Sequence, residues 1–246
     1  MKIVLNPKYR KLETFVTDIP MLFDQKGELV YTARNQLKSY TVEGFEVIVK
    51  RYKKPHFINR IAYTFFRPSK AKRAYEYALR LSQIGVDSPA PVAYIEQYKG
   101  GLLTHGYFIS VYEKDYSLIR DLMDGTQKDE ALLNELSLYI SDFHSKGVLH
   151  LDMSPGNILY KKVDDHFHFT LIDINRMQFL PSISAEKRYK SFKRLSENTA
   201  ILTEIAKTYA AASNLNIAES IKKINRHSLE FFASKKRFKN RKNTES

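Results

Sequence analysis

Cysteine is absent from all 246 residues, which excludes a disulfide framework, a thiolate metal site and a cysteine nucleophile. Long apolar runs are absent as well. No stretch approaches the ~18 residues of a spanning helix, and the opening MKIVLNPKYRK turns basic after three apolar residues, without the apolar region of a signal peptide. These gaps lead us to expect a soluble chain in a reducing, cytosolic compartment. Acidic residues are scarce beside basic ones, 27 against 40, for a formal net charge of +13 and a pI near 9.6. That imbalance calls for an acidic partner.

What is present suffices for a core: 43% of the residues are hydrophobic and 13% aromatic, enough for one large domain or two closely packed lobes. The positive charge is local. Residues 50–80 carry a net +9 and residues 219–246 a net +6, whereas 81–149 carry −5. A partner could meet either basic segment without meeting the other.

The first half of the chain reads as strands around one helix. LVYT at 29–32 and FEVIVKRY at 45–52 are β-rich runs separated by the polar RNQLKSY, and they predict an antiparallel sheet. Pro68 and Ser69 introduce KAKRAYEYALRLSQ, a helix-forming run ended by Gly85. VAYIEQ and HGYFISVYEK then flank Gly100 and Gly101 as another strand pair. From Asp129 onward Leu132, Leu136, Tyr139, Ile140 and Phe143 recur at helical spacing. NILYKKV and HFTLID form a later strand pair around the turn-prone VDDH, and 186–233 reads as helices. The expected seam between the halves falls near Tyr112 to Tyr116.

The stretch HSKGVLHLDMSPGNILY, residues 144–160, followed by TLIDINR at 170–176, carries the chemistry. Asp152 and Asn157 are separated by four residues, and Asp173 lies 16 beyond Asn157, after a plausible hairpin. This spacing suits phosphoryl transfer: one carboxylate orients a hydroxyl and accepts its proton, while an Asn amide oxygen and a second carboxylate hold magnesium on nucleotide phosphates.

HLDMSPGNIL resembles the catalytic loop H-x-D-x-x-x-x-N of the kinase-like fold, and LIDINR resembles that fold's metal-binding D-F-G position. LIDxxR after SPGNIL, together with INRIAYTFFRPSKAKRAYEYALRL, is similar to the bacterial lipopolysaccharide core kinases, the Kdo and heptose kinase family, over roughly residues 25–232. The resemblance implies an α+β, bilobal protein-kinase-like fold: a small β-rich N-lobe at 1–111, a helix-rich C-lobe at 112–233, and a basic, disordered tail at 234–246. It also implies Asp152 as catalytic base, Asn157 and Asp173 as magnesium ligands, Lys50 on the α and β phosphates of ATP, and Glu76 paired with Lys50. Arg51, Lys53 and Lys54 compete with Lys50 for that role, and Glu76 is the sole acidic residue between 50 and 80.

Departures narrow the acceptor. The turn before Lys50 reads TARNQLKS, with no glycine, so no G-x-G-x-x-G loop can cradle phosphates there. Leu151 stands where protein kinases carry Arg, and no A-P-E follows Asp173. A small or glycolipid hydroxyl therefore fits better than a protein. The expected activity is ATP- and Mg2+-dependent phosphorylation of an inner-core sugar hydroxyl on lipid A, with an anionic glycolipid as partner. The expected place is the cytosolic face of the inner membrane of a Gram-negative bacterium, in peripheral contact with its surface. No specific nucleic acid is expected, although charge alone would permit nonspecific binding. HLDMSPGNIL also resembles the loop of choline and aminoglycoside phosphotransferases, and an inactive kinase-like binding module is the rival from another class.

His144 and His150 flank the catalytic loop, where the resemblance makes them structural hydrogen-bonding residues. His166 and His168 share one face of a strand by their i, i+2 spacing and, with no cysteine and no third ligand, read as surface residues rather than a zinc site. The basic segment 50–80 also holds Tyr52, Phe57, Tyr63, Phe65, Phe66, Tyr75 and Tyr77. About half of these should pack inward. The whole could otherwise meet a bilayer, where each nearby Lys or Arg contributes about 1 kcal/mol against anionic headgroups.

Overall fold

A computed structural model describes residues 1–244, and the chain divides into two compact units, Met1–Lys114 and the residues from Asp115 onward. The first unit is a six-stranded antiparallel sheet in the order β1-β5-β6-β4-β3-β2. Its strands are β1 Lys2–Leu5, β2 Glu28–Thr32, β3 Gln36–Val42, β4 Phe45–Tyr52, β5 Pro91–Lys99 and β6 Leu102–Val111. One face of β4 buries Val47 and Val49 against Val92, Ala93, Ile95 and Ile109. The other face carries Tyr52 into a cluster with Ala71, Tyr75 and Tyr94.

Two features depart from the sequence reading. The polar RNQLKSY largely forms β3, because a strand between β2 and β4 gains backbone hydrogen bonds on both sides whatever its side chains. The first half, read as strands around one helix, holds a further helical segment before residue 23: a 3-10 turn at Pro7–Leu12 leads into α1, Glu13–Leu22. Leu12, Phe15, Val16, Ile19 and Phe23 recur at helical spacing and are all buried against the sheet. That periodicity was available in the sequence. The helix α3, Lys70–Gln83, begins at Ser69, whose hydroxyl accepts from the Lys72 amide, and buries Ala71, Ala74, Tyr75, Ala78 and Leu81. Between β4 and α3 a short α2, Phe57–Ile61, runs into a π-helical turn, Ala62–Phe66.

The second unit is mostly helical. A three-stranded sheet orders as β10-β9-β7, with β7 Ser117–Leu118, β9 Ile158–Val163 and β10 His166–Leu171. A two-stranded sheet pairs β8, Val148–His150, with β11, Met177–Phe179. The helices are α4 Arg120–Asp124, α5 Glu130–Ser145, α6 Ala185–Ser191, α7 Thr199–Ala212 and α8 Ile217–Thr244. Asp129 caps α5 by accepting from the Leu132 amide, and Leu132, Leu136, Ile140 and Phe143 are its buried stripe.

The basic segment expected to be a disordered extension from 234 onward continues α8 as far as Thr244. Side-chain contacts accompany the extra turns: Lys236 meets Glu197, Lys235 lies over Phe232, and the Arg237 guanidinium reaches back to the Ala233 carbonyl. Glu245 and Ser246 of that tail lie outside the described residues.

Candidate active site

In the second unit two antiparallel strand pairings flank Asp173, the β9–β10 hairpin before it and the β8–β11 pair after it. In the β9–β10 hairpin Ile158 faces Leu171, and one step further the Ile172 amide donates to the Asn157 carbonyl at 3.0 Å. This register turns a 16-residue separation in sequence into proximity between Asn157 and the backbone leading to Asp173. In the β8–β11 pair Met177 faces His150, and the Leu151 amide donates to the Arg176 carbonyl at 3.1 Å. The catalytic loop and the LIDINR segment are therefore joined on both sides by backbone bonds. Gly147 enters β8 with φ +77°, where a β-carbon would collide with the Leu180 carbonyl oxygen.

His150 ties the same two segments together from inside. It is fully buried; its Nδ1 accepts from the Asp152 amide at 3.1 Å, and its Nε2 donates to the Ile172 carbonyl at 3.2 Å. This pair of bonds requires the neutral ring with hydrogen on Nε2. Burial, which disfavours the charged ring, holds its pKa below the ordinary histidine range. His144 is equally enclosed: its Nδ1 meets the Tyr209 hydroxyl at 2.8 Å, and burial pushes its pKa down to about 3. Both histidines are framework, as the sequence reading placed them. His166 and His168 lie on the exposed side of β10, His168 against the Tyr116 hydroxyl at 2.7 Å and His166 3.7 Å from Glu135.

Asp152 presents its carboxylate to two guanidinium groups. Arg194 Nη1 lies 2.6 Å from Oδ1, and Arg176 Nη1 lies 3.3 Å from Oδ2. Arg194 comes from a 3-10 turn, Phe192–Arg194, far along the chain; its guanidinium stacks 4.8 Å over the Phe231 ring, and its Nε is buried with no hydrogen-bond partner. Sequence reasoning missed both arginines. Arg176 was visible as the last residue of LIDINR, but Arg194 had no local signal. Lys193 lies in the same field: burial first, and then Lys190, Arg194 and Arg176, push its pKa down, while Asp152 opposes the shift.

Asn157 commits its Nδ2 to the Asp152 carbonyl at 2.8 Å, which leaves its Oδ1 as the atom to face a cation. Asp173 has φ +52°, a left-handed conformation uncommon outside glycine, and its Oδ1 accepts from Asn175 Nδ2 at 2.5 Å. A carboxylate has roughly four lone-pair sites, so that bond does not exhaust it. Among the described residues no group of three or more His, Asp or Glu forms a metal cage. The residues fit magnesium in the manner of nucleotide enzymes, in which one or two protein oxygens share the ion with phosphates and water. Asn157 and Asp173 would hold it there.

In the first unit, β4 alternation separates Lys50 from its rivals. Lys50 shares the face of Tyr52, its Nζ 5.4 Å from that ring, and so points toward the side covered by α3. Arg51 points the other way, into Asp24 at 2.8 Å and Gln36 at 2.5 Å. Lys53 and Lys54 are exposed and lie beyond the strand end. Glu76 is on the exposed side of α3 and meets Lys72 at 3.6 Å, one turn earlier. The turn joining β2 to β3 is held by the Ala33 amide on the Asn35 carbonyl, while Asn35 Oδ1 accepts from the Lys53 amide at 3.2 Å.

Known proteins resemble this chain in sequence and in fold. A putative ribosomal protein S6 kinase alpha-2 from Caenorhabditis elegans is 30% identical over 103 residues, 42% of this chain, and the chain spans 13% of that relative's length. The solved structure of WaaP in complex with acyl carrier protein superposes with a TM-score of 0.62 over 98% of this chain and 99% of the other, at 18% identity. That likeness shows a shared α+β fold. The model of the lipopolysaccharide kinase (Kdo/WaaP) family matches residues 31–217. The chain therefore belongs to the lipopolysaccharide kinase (Kdo/WaaP) family.

Proposed function

We propose that this kinase transfers the γ-phosphoryl group of ATP to a Kdo or heptose hydroxyl of the lipopolysaccharide inner core. The observation that carries the reading is the two antiparallel strand pairings that join the loop of Asp152 and Asn157 to the segment around Asp173 by backbone hydrogen bonds, in a chain whose family is defined by this acceptor class. Asp152 aligns the acceptor hydroxyl and takes its proton as the oxygen bonds to phosphorus. Arg194 and Arg176 keep that carboxylate aimed. Lys50 positions the α and β phosphates, and Glu76 steadies Lys50. Magnesium, when bound by Asn157 and Asp173, neutralises charge on the transferring phosphates. Positioning and electrostatics dominate such a reaction.

The cations near Asp152 suit an acceptor already rich in phosphate and carboxylate. Arg176, Lys193 and Arg194 interact electrostatically with that carboxylate or with one another, and Arg176 is more than half exposed. Because the acceptor is a membrane glycolipid, the protein works in peripheral contact with the cytosolic face of the inner membrane. Among the described residues no helix is long and apolar enough to cross a membrane.

The test is phosphate incorporation from ATP and magnesium into a core-sugar lipid, with Asp152→Asn and Asp173→Ala beside the wild type. Loss of about a hundredfold or more in each variant is expected. Equal incorporation by all three proteins sinks the mechanism. Mass spectrometry of the product assigns the phosphate to Kdo or to heptose, and transfer to neither overturns the acceptor.

A further inference from the structure

The segment between β4 and α3 displays four large apolar side chains to solvent: Phe57 is 62% exposed, Ile58 80%, Phe65 67% and Phe66 81%. Their exposure is a product of the local fold. The π-helical turn closes with the Arg67 amide donating to the Ala62 carbonyl, one residue wider than an α-helical bond. The inward side of the same turn is pinned to β6: Arg60 Nε donates to the Leu103 carbonyl at 2.8 Å, and the Leu103 amide donates to Thr64 Oγ1 at 3.0 Å. Arg60 and Thr64 thus hold the turn while the phenylalanines face outward. Wide turns of this kind are concentrated at functional sites.

The same segment contributes His56, Asn59 and Tyr63 to a cavity of about 230 Å3, lined also by Arg34, Lys53, Lys54 and Lys70 and by no acidic residue. Arg34, Lys53 and Lys54 are exposed. Across residues 50–80 the single acid, Glu76, is engaged by Lys72. Exposed aromatic and aliphatic groups next to an acid-free cationic pocket are complementary to one surface in particular, an anionic phospholipid bilayer, which offers phosphates at the level of the lysines and hydrocarbon just beneath. An acidic soluble protein would match the charge but would leave four apolar side chains with no stated counterpart.

We propose that Phe57, Ile58, Phe65 and Phe66 form a membrane-inserting wedge and that Arg34, Lys53 and Lys54 bind the headgroup phosphates around it. The proposal rests on the reading of the acceptor as a membrane glycolipid and gives that reading its point of attachment. Basic residues draw the protein to the surface through a salt-sensitive attraction, and the wedge then adds a salt-resistant one.

Co-sedimentation of the full chain with vesicles of phosphatidylglycerol and phosphatidylcholine, compared with pure phosphatidylcholine, tests this. The wild type should bind the anionic vesicles and keep part of that binding at 0.5 M salt. Phe65→Ser/Phe66→Ser should lose the salt-resistant fraction, and Lys53→Glu/Lys54→Glu should bind about tenfold or more weakly at low salt. Because the substituted side chains are exposed, phosphate transfer to a detergent-dispersed acceptor should be unchanged in both variants, which separates failure of the wedge from failure of the kinase reading. Vesicle binding by both variants equal to the wild type overturns the proposal. So does capture by an acidic soluble protein with no binding to anionic vesicles.

Discussion

The two units place polar chemistry by different means. Around Asp152, position is set by the main chain: two antiparallel pairs, a buried neutral histidine bridging two backbone groups, and a left-handed residue at Asp173. Around Lys50, position is set by strand alternation and by side chains in contact with partly open surroundings, with Tyr52 beneath the lysine and Lys72 holding Glu76. Backbone bonds do not change when a substrate arrives. Side-chain pairs such as Lys72 and Glu76 can exchange at little cost, because an exposed i, i+4 pair is worth only about 0.3–0.5 kcal/mol. On the proposed roles, the part that holds a hydroxyl in line is built on backbone bonds, and the part that admits and releases a nucleotide on exchangeable side-chain pairs.

A pair of glycines breaks or sharpens this contrast most strongly. Gly44 and Gly147 both have φ +77°, yet a β-carbon on Gly44 meets nothing within 4 Å whereas one on Gly147 collides with the Leu180 carbonyl. Gly147→Ala should cost about 3 kcal/mol or more, and Gly44→Ala about 1 kcal/mol, the left-handed penalty alone. Urea unfolding measures both, and equal losses would show that the β8–β11 staple is not rigid.

Next in size is the pH response of the second unit. His144 and His150 are neutral when folded, and an unfolded chain takes up protons on histidine below pH ~6.5. Stability should therefore fall as pH drops through 6.5, by about 1.4 kcal/mol per pH unit for each buried ring. For His144 this continues toward its folded value of about 3. His144→Gln should remove one such slope from urea midpoints followed between pH 7 and pH 4. An unaltered slope would show that the ring is not held neutral.

Arg194→Met probes the clamp on Asp152. Losing the 2.6 Å partner should lower kcat about ten- to hundredfold through misplacement of the carboxylate, with KM for ATP little changed. Arg194→Lys should restore little, since an ammonium lacks the planar stack on Phe231. The smallest effect is expected in the first unit. Lys72→Met removes the i, i+4 partner of the exposed Glu76 and should shift stability by no more than about 0.5 kcal/mol in thermal unfolding.

Much of the site's local frame was legible. Asp152 and Asn157 sit five positions apart in a loop, and the turn-prone VDDH between two β-rich runs announces the hairpin that carries Asp173 back toward Asn157. The β3 strand was not legible, because its polar side chains carry no alternation and its state depends on having β2 and β4 as neighbours. The helix before residue 23 was written in the spacing of Leu12, Phe15, Val16 and Ile19, and was missed under the weight of the strand pattern that follows.

By itself the sequence determined which chemistry is carried: carboxylates and an amide at kinase spacing, no thiol, and two basic segments of +9 and +6. Those follow from residue identity and separation alone. Only the tertiary structure decided that Arg194 reaches Asp152 across 42 residues, that Arg51 points away from Lys50, and that the aromatics of 57–66 divide between a half-buried Tyr63 and exposed phenylalanines. Each of these depends on which face a side chain takes and on what lies opposite it, and a linear spacing contains neither until the backbone hydrogen bonds have closed.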